Sequence, residues 1–223
     1  MILVAEDTFN RASSSSSLGT ADFGGAWSVP MPSPGDSPWG IDSHKAYCVS
    51  PSTATFTTLA GVPKNIAVIG STAEPHIVSA DFTLSTTSPN VGLVAKYVDT
   101  SNFILAALRN TSSSGIEVII CIAGTYTSLG TATRIVTKGA TYRMRVTVDT
   151  TVQVDLDGAG AIGPITLSAP QIAALSGPTA AGLTLLSGRY DGILPNDPGD
   201  SRFDNFVFGI PDPGGWSVGF LKF

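Results

Sequence analysis

Residues 142–158, Tyr-Arg-Met-Arg-Val-Thr-Val-Asp-Thr-Thr-Val-Gln-Val-Asp-Leu-Asp-Gly, constrain the fold more than any other segment. Two runs alternate apolar and polar residues around a short Asp149-Thr150-Thr151 connection, which is the period of half-buried strands joined as a hairpin. Val146, Val148, Val152, Val154 and Leu156 fall on covered faces, while Arg143, Arg145, Gln153 and Asp155 look outward. Asp157-Gly158 then closes the second strand with a turn pair. Such a hairpin commits the chain to antiparallel β structure. Further strand-like runs lie at 2–5, 26–29, 45–49, 54–58, 65–69, 76–84, 91–98, 103–109, 116–123, 131–136, 182–186 and 202–208. Turn clusters part them at intervals of about 8–14 residues, the rhythm of a sandwich or barrel.

Composition agrees. Of 223 residues only 13% are charged, while 24 are glycine and 15 proline. This is a turn-rich chain with a hydroxyl-rich surface, and at 43% hydrophobic it is not a disordered one. The net charge of −5 comes with scattered basic residues, of which Arg143 and Arg145 are the densest pair. No basic stripe suits a phosphate backbone or an anionic lipid surface, so neither nucleic acid nor membrane is an expected partner. No apolar run approaches the ~20 residues of a membrane helix. The start, Met1-Ile-Leu-Val-Ala-Glu-Asp, lacks the basic and long apolar regions of a signal peptide. Cys48 and Cys121 each sit inside a strand-like run and read as buried thiols, although a disulfide is open if their strands are neighbours.

One short helix is expected. Ser168 caps it, Pro170 suits its first turn, Gln171–Leu175 continue it and Gly177-Pro178 stop it. Ser13–Ser17 and the four-proline stretch 30–38 read as loops. Pro211-Asp-Pro-Gly-Gly215 ends the last strand, giving a sandwich over residues 1–209 and an apolar C-terminal tail over 210–223.

Four motifs follow one another in the chain. Asp7-Thr-Phe-Asn-Arg11 stands near Ser17-Leu-Gly-Thr-Ala-Asp22 and Ala26-Trp27. Gly92-Leu-Val-Ala-Lys-Tyr-Val-Asp99 with Ser101-Asn-Phe103 makes a strand pair. The 142–158 hairpin comes next, and Ser201-Arg-Phe-Asp-Asn-Phe-Val207 closes. In this order, over residues 3–209, they resemble the concanavalin A-like, laminin-G-like jelly-roll superfamily, as found in actinobacteriophage minor tail proteins. The resemblance implies an all-β, two-sheet antiparallel jelly-roll sandwich with one short helix. In it the terminal strands pair and bring Phe9, Phe203 and Phe206 together.

Laminarinase-type enzymes of that superfamily carry Glu-x-Asp-x-x-Glu on one strand. Here Glu6, Glu74 and Glu117 are far apart and none belongs to that pattern. Asp155 and Asp157 share a strand face, but the turn accounts for Asp157. Gly-x-Ser-x-Gly is absent, and His44 and His76, at strand starts, are expected on the solvated surface. No catalytic residue and no cofactor is therefore expected. Calcium is the ion the pattern admits, because pairing of the terminal strands brings Asp7 towards Asp204, and Asn196, Asp197 and Asp200 form a second oxygen-rich loop. Turn capping explains the same residues. A sugar platform needs an exposed aromatic beside Asn or Asp, and Trp39, Tyr97, Tyr126 and Tyr190 are the candidates, with Tyr190-Asp191 and Trp39 foremost. Trp27 falls at a core position of the family.

The function expected is that of a non-enzymatic phage virion protein, a minor tail protein with recognition of host cell-wall glycan. Its partners would be other virion proteins in multiple copies, and it would join the virion in the host cytoplasm. A capsid decoration or cement protein is the alternative, and a glycan-processing enzyme the third class. The tail is expected to be an assembly contact through Trp216, Val218, Phe220, Leu221 and Phe223, since contiguous apolar surface marks partner sites.

Overall fold

The computed structural model describes residues 1–31, 39–48, 65–84, 90–109, 115–137, 139–187 and 201–212. The strands in chain order are β1 (Ile2–Asp7), β2 (Ser28–Met31), β3 (Trp39–Asp42), β4 (Lys45–Cys48), β5 (Asn65–Thr72), β6 (His76–Thr83), β7 (Asn90–Asp99) and β8 (Asn102–Arg109). After them come β9 (Gly115–Ile122), β10 (Thr125–Thr133), β11 (Thr141–Val148), β12 (Thr151–Leu156), β13 (Ala159–Thr166), helix α1 (Ala169–Ala174), β14 (Thr179–Ser187) and β15 (Arg202–Ile210). An eight-stranded sheet runs β13-β12-β11-β6-β15-β4-β3, with β1 also paired to β15. A seven-stranded sheet runs β10-β9-β8-β7-β14-β5-β2. Every pairing among the described residues is antiparallel. The fold is an all-β two-sheet jelly-roll sandwich with one short helix.

Alternation along the strands builds the core between the sheets. In the 142–158 hairpin, Met144, Val146, Val148, Val152, Val154 and Leu156 all turn inward and are fully buried. Asp157 and Gly158 both have positive φ, 52° and 78°, which is the backbone a two-residue hairpin turn needs. The Asp157 side chain accepts a 2.8 Å hydrogen bond from Arg143 N, which ties the turn back to the first strand. The chain ends meet as expected: β1 pairs with β15 from Ile2↔Ile210 to Asp7↔Phe206. Phe9 and Phe206 are fully buried there, while Phe203, equally buried, lies farther along β15 against Trp39 and Phe82. Trp27 stacks on Phe9 and meets Phe206 edge-on, at 5.9 and 5.0 Å between ring centres.

The helix forms where its signals lie, with Ser168 before it and Pro170 in its first turn. Gln171 Oε1 accepts a 2.8 Å hydrogen bond from Ser168 N, one of the donors a helix start leaves without an intrahelical partner. The sequence pattern contains no strand corresponding to β3 or to β13, and it begins at 131 the strand that in β10 begins at Thr125. β10 and β13 are edge strands. Their exposed faces remove the need for alternation, and an edge accepts Gly163 and Pro164 that a central strand would not.

His76 corrects an expectation. It is fully buried rather than solvated, while His44 is exposed in the β3–β4 turn. The His76 ring packs against Phe208 with 4.7 Å between centres. Its Nδ1–H donates to Ala95 O of β7, which leaves Nε2 to accept a 2.9 Å hydrogen bond from Thr179 Oγ1 of β14. A residue of the eight-stranded sheet thus fastens two strands of the other. Cys48 and Cys121 are both buried and remain thiols.

Candidate functional site

The two outward sheet faces differ in character, and the registers show how. On the seven-stranded sheet one rung reads Ala180, Tyr97, Phe103, Cys121, Tyr126 across β14, β7, β8, β9 and β10. The next reads Val68, Gly182, Val94, Leu105, Ile119, Ser128. Phe103, Leu105 and Cys121 are 0% exposed and Tyr97 only 8%, so this apolar face is closed to solvent.

The eight-stranded sheet turns the opposite character outward. Asp204, Asp81 and Arg143 stand side by side on β15, β6 and β11. Arg202, Thr83 and Thr141 form the rung on one side of them, and Ser79, Arg145 and Asp155 the rung on the other. Neighbouring strands sit about 4.8 Å apart and same-face residues about 7 Å apart along a strand. The result is a flat lattice of donors and acceptors.

Its bonds are specific. Arg143 Nη1 donates to Asp81 Oδ1 at 2.9 Å, and its Nη2 to Ser79 Oγ at 3.1 Å. Asn205 Nδ2 donates to Asp81 Oδ2 at 2.8 Å. The Arg202 guanidinium lies 5.0 Å over the Tyr47 ring and 3.7 Å from Asp42. Burial pushes the Asp204 carboxyl above the usual carboxylate range, aided by the nearby charges of Asp81 and Asp7 and opposed by Asn205 N and Lys45. The Arg143 side chain is 46% exposed, so the lattice is open to a ligand. Planar guanidinium forks and carboxylates can address hydroxyl and carboxyl groups from one side.

The residues expected to bind sugar do not converge here. Trp39 is 1% exposed and packs against Phe203 at 5.3 Å between ring centres, so it is a core residue and not a platform. Tyr97 and Tyr126 do come together, on either side of Phe103, but on the closed face. Tyr190 and Asp191 lie outside the described residues, as do Asn196, Asp197, Asp200 and the tail residues Trp216, Val218, Phe220, Leu221 and Phe223.

The expected calcium pair is also rearranged. Asp7 is fully buried, and its oxygens are taken by four donors. Arg11 Nη1 and Nη2 approach at 2.6 and 2.8 Å, Trp27 Nε1 at 2.6 Å and Phe9 N at 2.8 Å. A carboxylate so engaged anchors the loop after β1 and has no lone pair directed at a cation. Asp204 instead faces Asp81 across the sheet. Among the described residues no group of three or more His, Cys, Asp or Glu side chains could hold a metal ion. The sequence did mark Arg143 and Arg145 as outward-facing. It carried no sign that Asp81 and Asp204 flank the same line, because strand order is not written in any local pattern.

No family model matches the chain, and no curated protein does. Solved structures do. The carbohydrate-binding module CBM66 from Bacillus subtilis matches with a TM-score of 0.59 at 11% identity, over 82% of this chain and 94% of that one. The CBM2 module of the evolved Dit of Lactobacillus casei BL23 phage J-1 matches at 0.55 and 14%, over 93% and 94%. A mutant of the alginate lyase Aly36B, in complex with an alginate tetrasaccharide, matches at 0.57 and 13%, over 95% and 98%. The likeness is one of fold.

Proposed function

We propose that this chain is a non-catalytic glycan-binding module of a phage virion, carried by a minor tail protein that meets the host cell wall. The observation that carries this reading is the open polar lattice centred on Asp204, Asp81 and Arg143. On this one open face, planar guanidinium forks and carboxylates can meet several hydroxyl or carboxyl groups at once. The fold likeness to CBM66 and to the module of a phage Dit supports the sugar and the phage parts of the reading, and the motifs at both chain ends support the second. A capsid decoration protein is the alternative placement. Calorimetric titration with host cell-wall glycans tests the binding. Saturable binding that weakens about tenfold or more in Arg143→Ala is expected, and no binding to any wall fraction would overturn it. Electron microscopy of virions carrying a labelled chain distinguishes tail from capsid.

One observation favours a second reading, glycan cleavage. Asp204 and Asp81 oppose each other on adjacent strands, and burial raises the Asp204 carboxyl. Two carboxyls that face each other from different surroundings are an arrangement that acid–base chemistry uses. Glycan turnover by the wild-type chain that Asp204→Asn abolishes would establish that reading in place of simple binding.

A further inference from the structure

Among the described residues five strands have a free side: β13 and β3 at the ends of one sheet, β10 and β2 at the ends of the other, and β1 beside β15. A free side is a row of N–H and C=O groups that accepts another strand, and proteins blunt it with proline, charge, irregularity or cover. Four of the five are blunted. β13 contains Pro164 and two register shifts against β12. β2 is four residues long and contains Pro30. β3 is as short, and Ile41 is bonded through both its N and its O to Ser14. In β1, Glu6 is bonded in the same way to Phe23. β10 differs. Its nine residues, Thr-Tyr-Thr-Ser-Leu-Gly-Thr-Ala-Thr, contain neither a charge nor a proline. Among the described residues β9 is its only strand partner. Its one register shift, between Ser128 and Gly130, leaves four paired residues on either side. Thr127 stands opposite Ile120 on the core side and Ser128 opposite Ile119 on the outer side, and both are exposed. The edge is therefore open from both faces.

We propose that β10 is a homodimer interface, through which two copies of the chain pair antiparallel and join their seven-stranded sheets into one. A second copy is the occupant that the composition of the strand selects. Pairing about a two-fold axis sets each residue opposite a residue of the same strand, so a charged strand would bring like charges together. In β10 every opposing pair, in any register, is drawn from Thr, Ser, Tyr, Leu, Gly and Ala. Thr and Ser facing one another across strands also exchange hydrogen bonds. Symmetry then fixes the geometry. Antiparallel neighbours in one sheet are related by an axis perpendicular to that sheet, so each face continues its own kind. The two eight-stranded sheets therefore lie on the same side of the joined sheet, and the polar lattices around Arg143 face the same way. β10 and the lattice belong to different sheets, so the pairing leaves the lattice free. One consequence rests on the glycan reading proposed above: two sites facing one wall hold it more firmly than either site alone. The dimer itself does not depend on that reading.

Sedimentation velocity of the full chain tests the pairing, and amide hydrogen exchange locates it. The expected result is a dimer with a dissociation constant below about 100 µM. Exchange along Thr125–Thr133 should slow as the protein concentration rises, while exchange along β13 stays the same. Thr127→Lys with Ser128→Lys installs the edge lysines that other proteins use against such pairing. Both positions are exposed, so this variant should melt within about 2 °C of the wild type and sediment as a monomer. The exchange measurement on the wild type keeps the test valid if the lysine variant folds poorly. A wild type that stays monomeric at that concentration overturns the proposal and leaves the edge to a strand of another protein. A dimer that survives the lysines, or whose β10 amides exchange at one rate at every concentration, overturns it as well and places the interface elsewhere.

Discussion

His76 Nε2 accepts a 2.9 Å hydrogen bond from Thr179 Oγ1, and through that contact one sheet grips the other. The arrangement requires a neutral imidazole. Burial is the chief cause that lowers the His76 pKa to about 4, and the backbone carbonyls of Ala95 and Thr72, which would accept from the charged ring, offset it only in part.

The sign of the pH effect follows. The unfolded chain binds the proton near pH 6.5 and the folded chain only near 4, so between these values protons favour unfolding. Stability is complete above about pH 6.5 and falls as pH drops towards 4, by about 3 kcal/mol from this one group. Thermal melts of the wild type between pH 7.5 and 4 should show that loss. His76→Gln should start less stable and lose less across the same window. An equal slope in both proteins would assign the pH effect to other groups.

Asp7 should be the most sensitive polar position near the N-terminus. Asp7→Ala leaves the Trp27 and Phe9 N–H groups without their acceptor and leaves the Arg11 guanidinium with Leu18 O alone of its two acceptors. Breaking a buried pair from one side costs about 3–5 kcal/mol. Urea unfolding should show a loss of that size. Calcium should cause no rise in the midpoint that depends on Asp7, because the oxygens of Asp7 are already engaged. A calcium-dependent rise that Asp7→Ala removes would refute this account of the site.

The same residues show what a sequence can and cannot disclose. The hairpin at 142–158 was legible because its inward valines and outward arginines alternate without a break. The pairing of β1 with β15 was legible through motifs at both ends. β13 was not, because an edge strand with Gly163 and Pro164 carries no alternation to detect. Trp39 misled for a related reason. A tryptophan just after a proline-rich stretch reads as exposed, and only the position of β3 beside β4, with Phe203 alongside, shows it buried. His76 misled because burial of a histidine depends on partners from distant strands. The polar lattice was half visible, since one strand's outward pattern never reveals which residues stand beside it.

Trp39 gives a stability test that also separates core from site. Trp39→Ala should cost about 3–5 kcal/mol, as for large aromatics removed from a core. Trp39→Phe should cost under about 1.5 kcal/mol, because Nε1 is buried with no hydrogen-bond partner and its loss relieves an unmet donor. Chemical denaturation of both variants checks the pair. Glycan affinity of folded Trp39→Phe should equal that of the wild type. A marked loss of affinity with intact folding would return Trp39 to the binding surface.

Arg143 and Asp81 should behave in the opposite way. Their ion pair is partly exposed, with side chains 46% and 23% accessible, so it contributes only about 0–1 kcal/mol to folding. Arg143→Ala should therefore leave the melting temperature nearly unchanged. It removes the guanidinium that bridges Asp81 and Ser79 at the centre of the lattice. If that guanidinium meets glycan, affinity should weaken about tenfold or more, roughly 1.4 kcal/mol of binding free energy. Arg143→Lys should recover only part of it, since an ammonium cannot reproduce the planar fork. Asp81→Ala should weaken binding as well, because Arg143 and Asn205 then lose the carboxylate that orients them. Titration of one host-wall glycan against the three variants, with melts run in parallel, checks these outcomes together. Wild-type affinity in all three would remove this face from the binding site while leaving the fold as described.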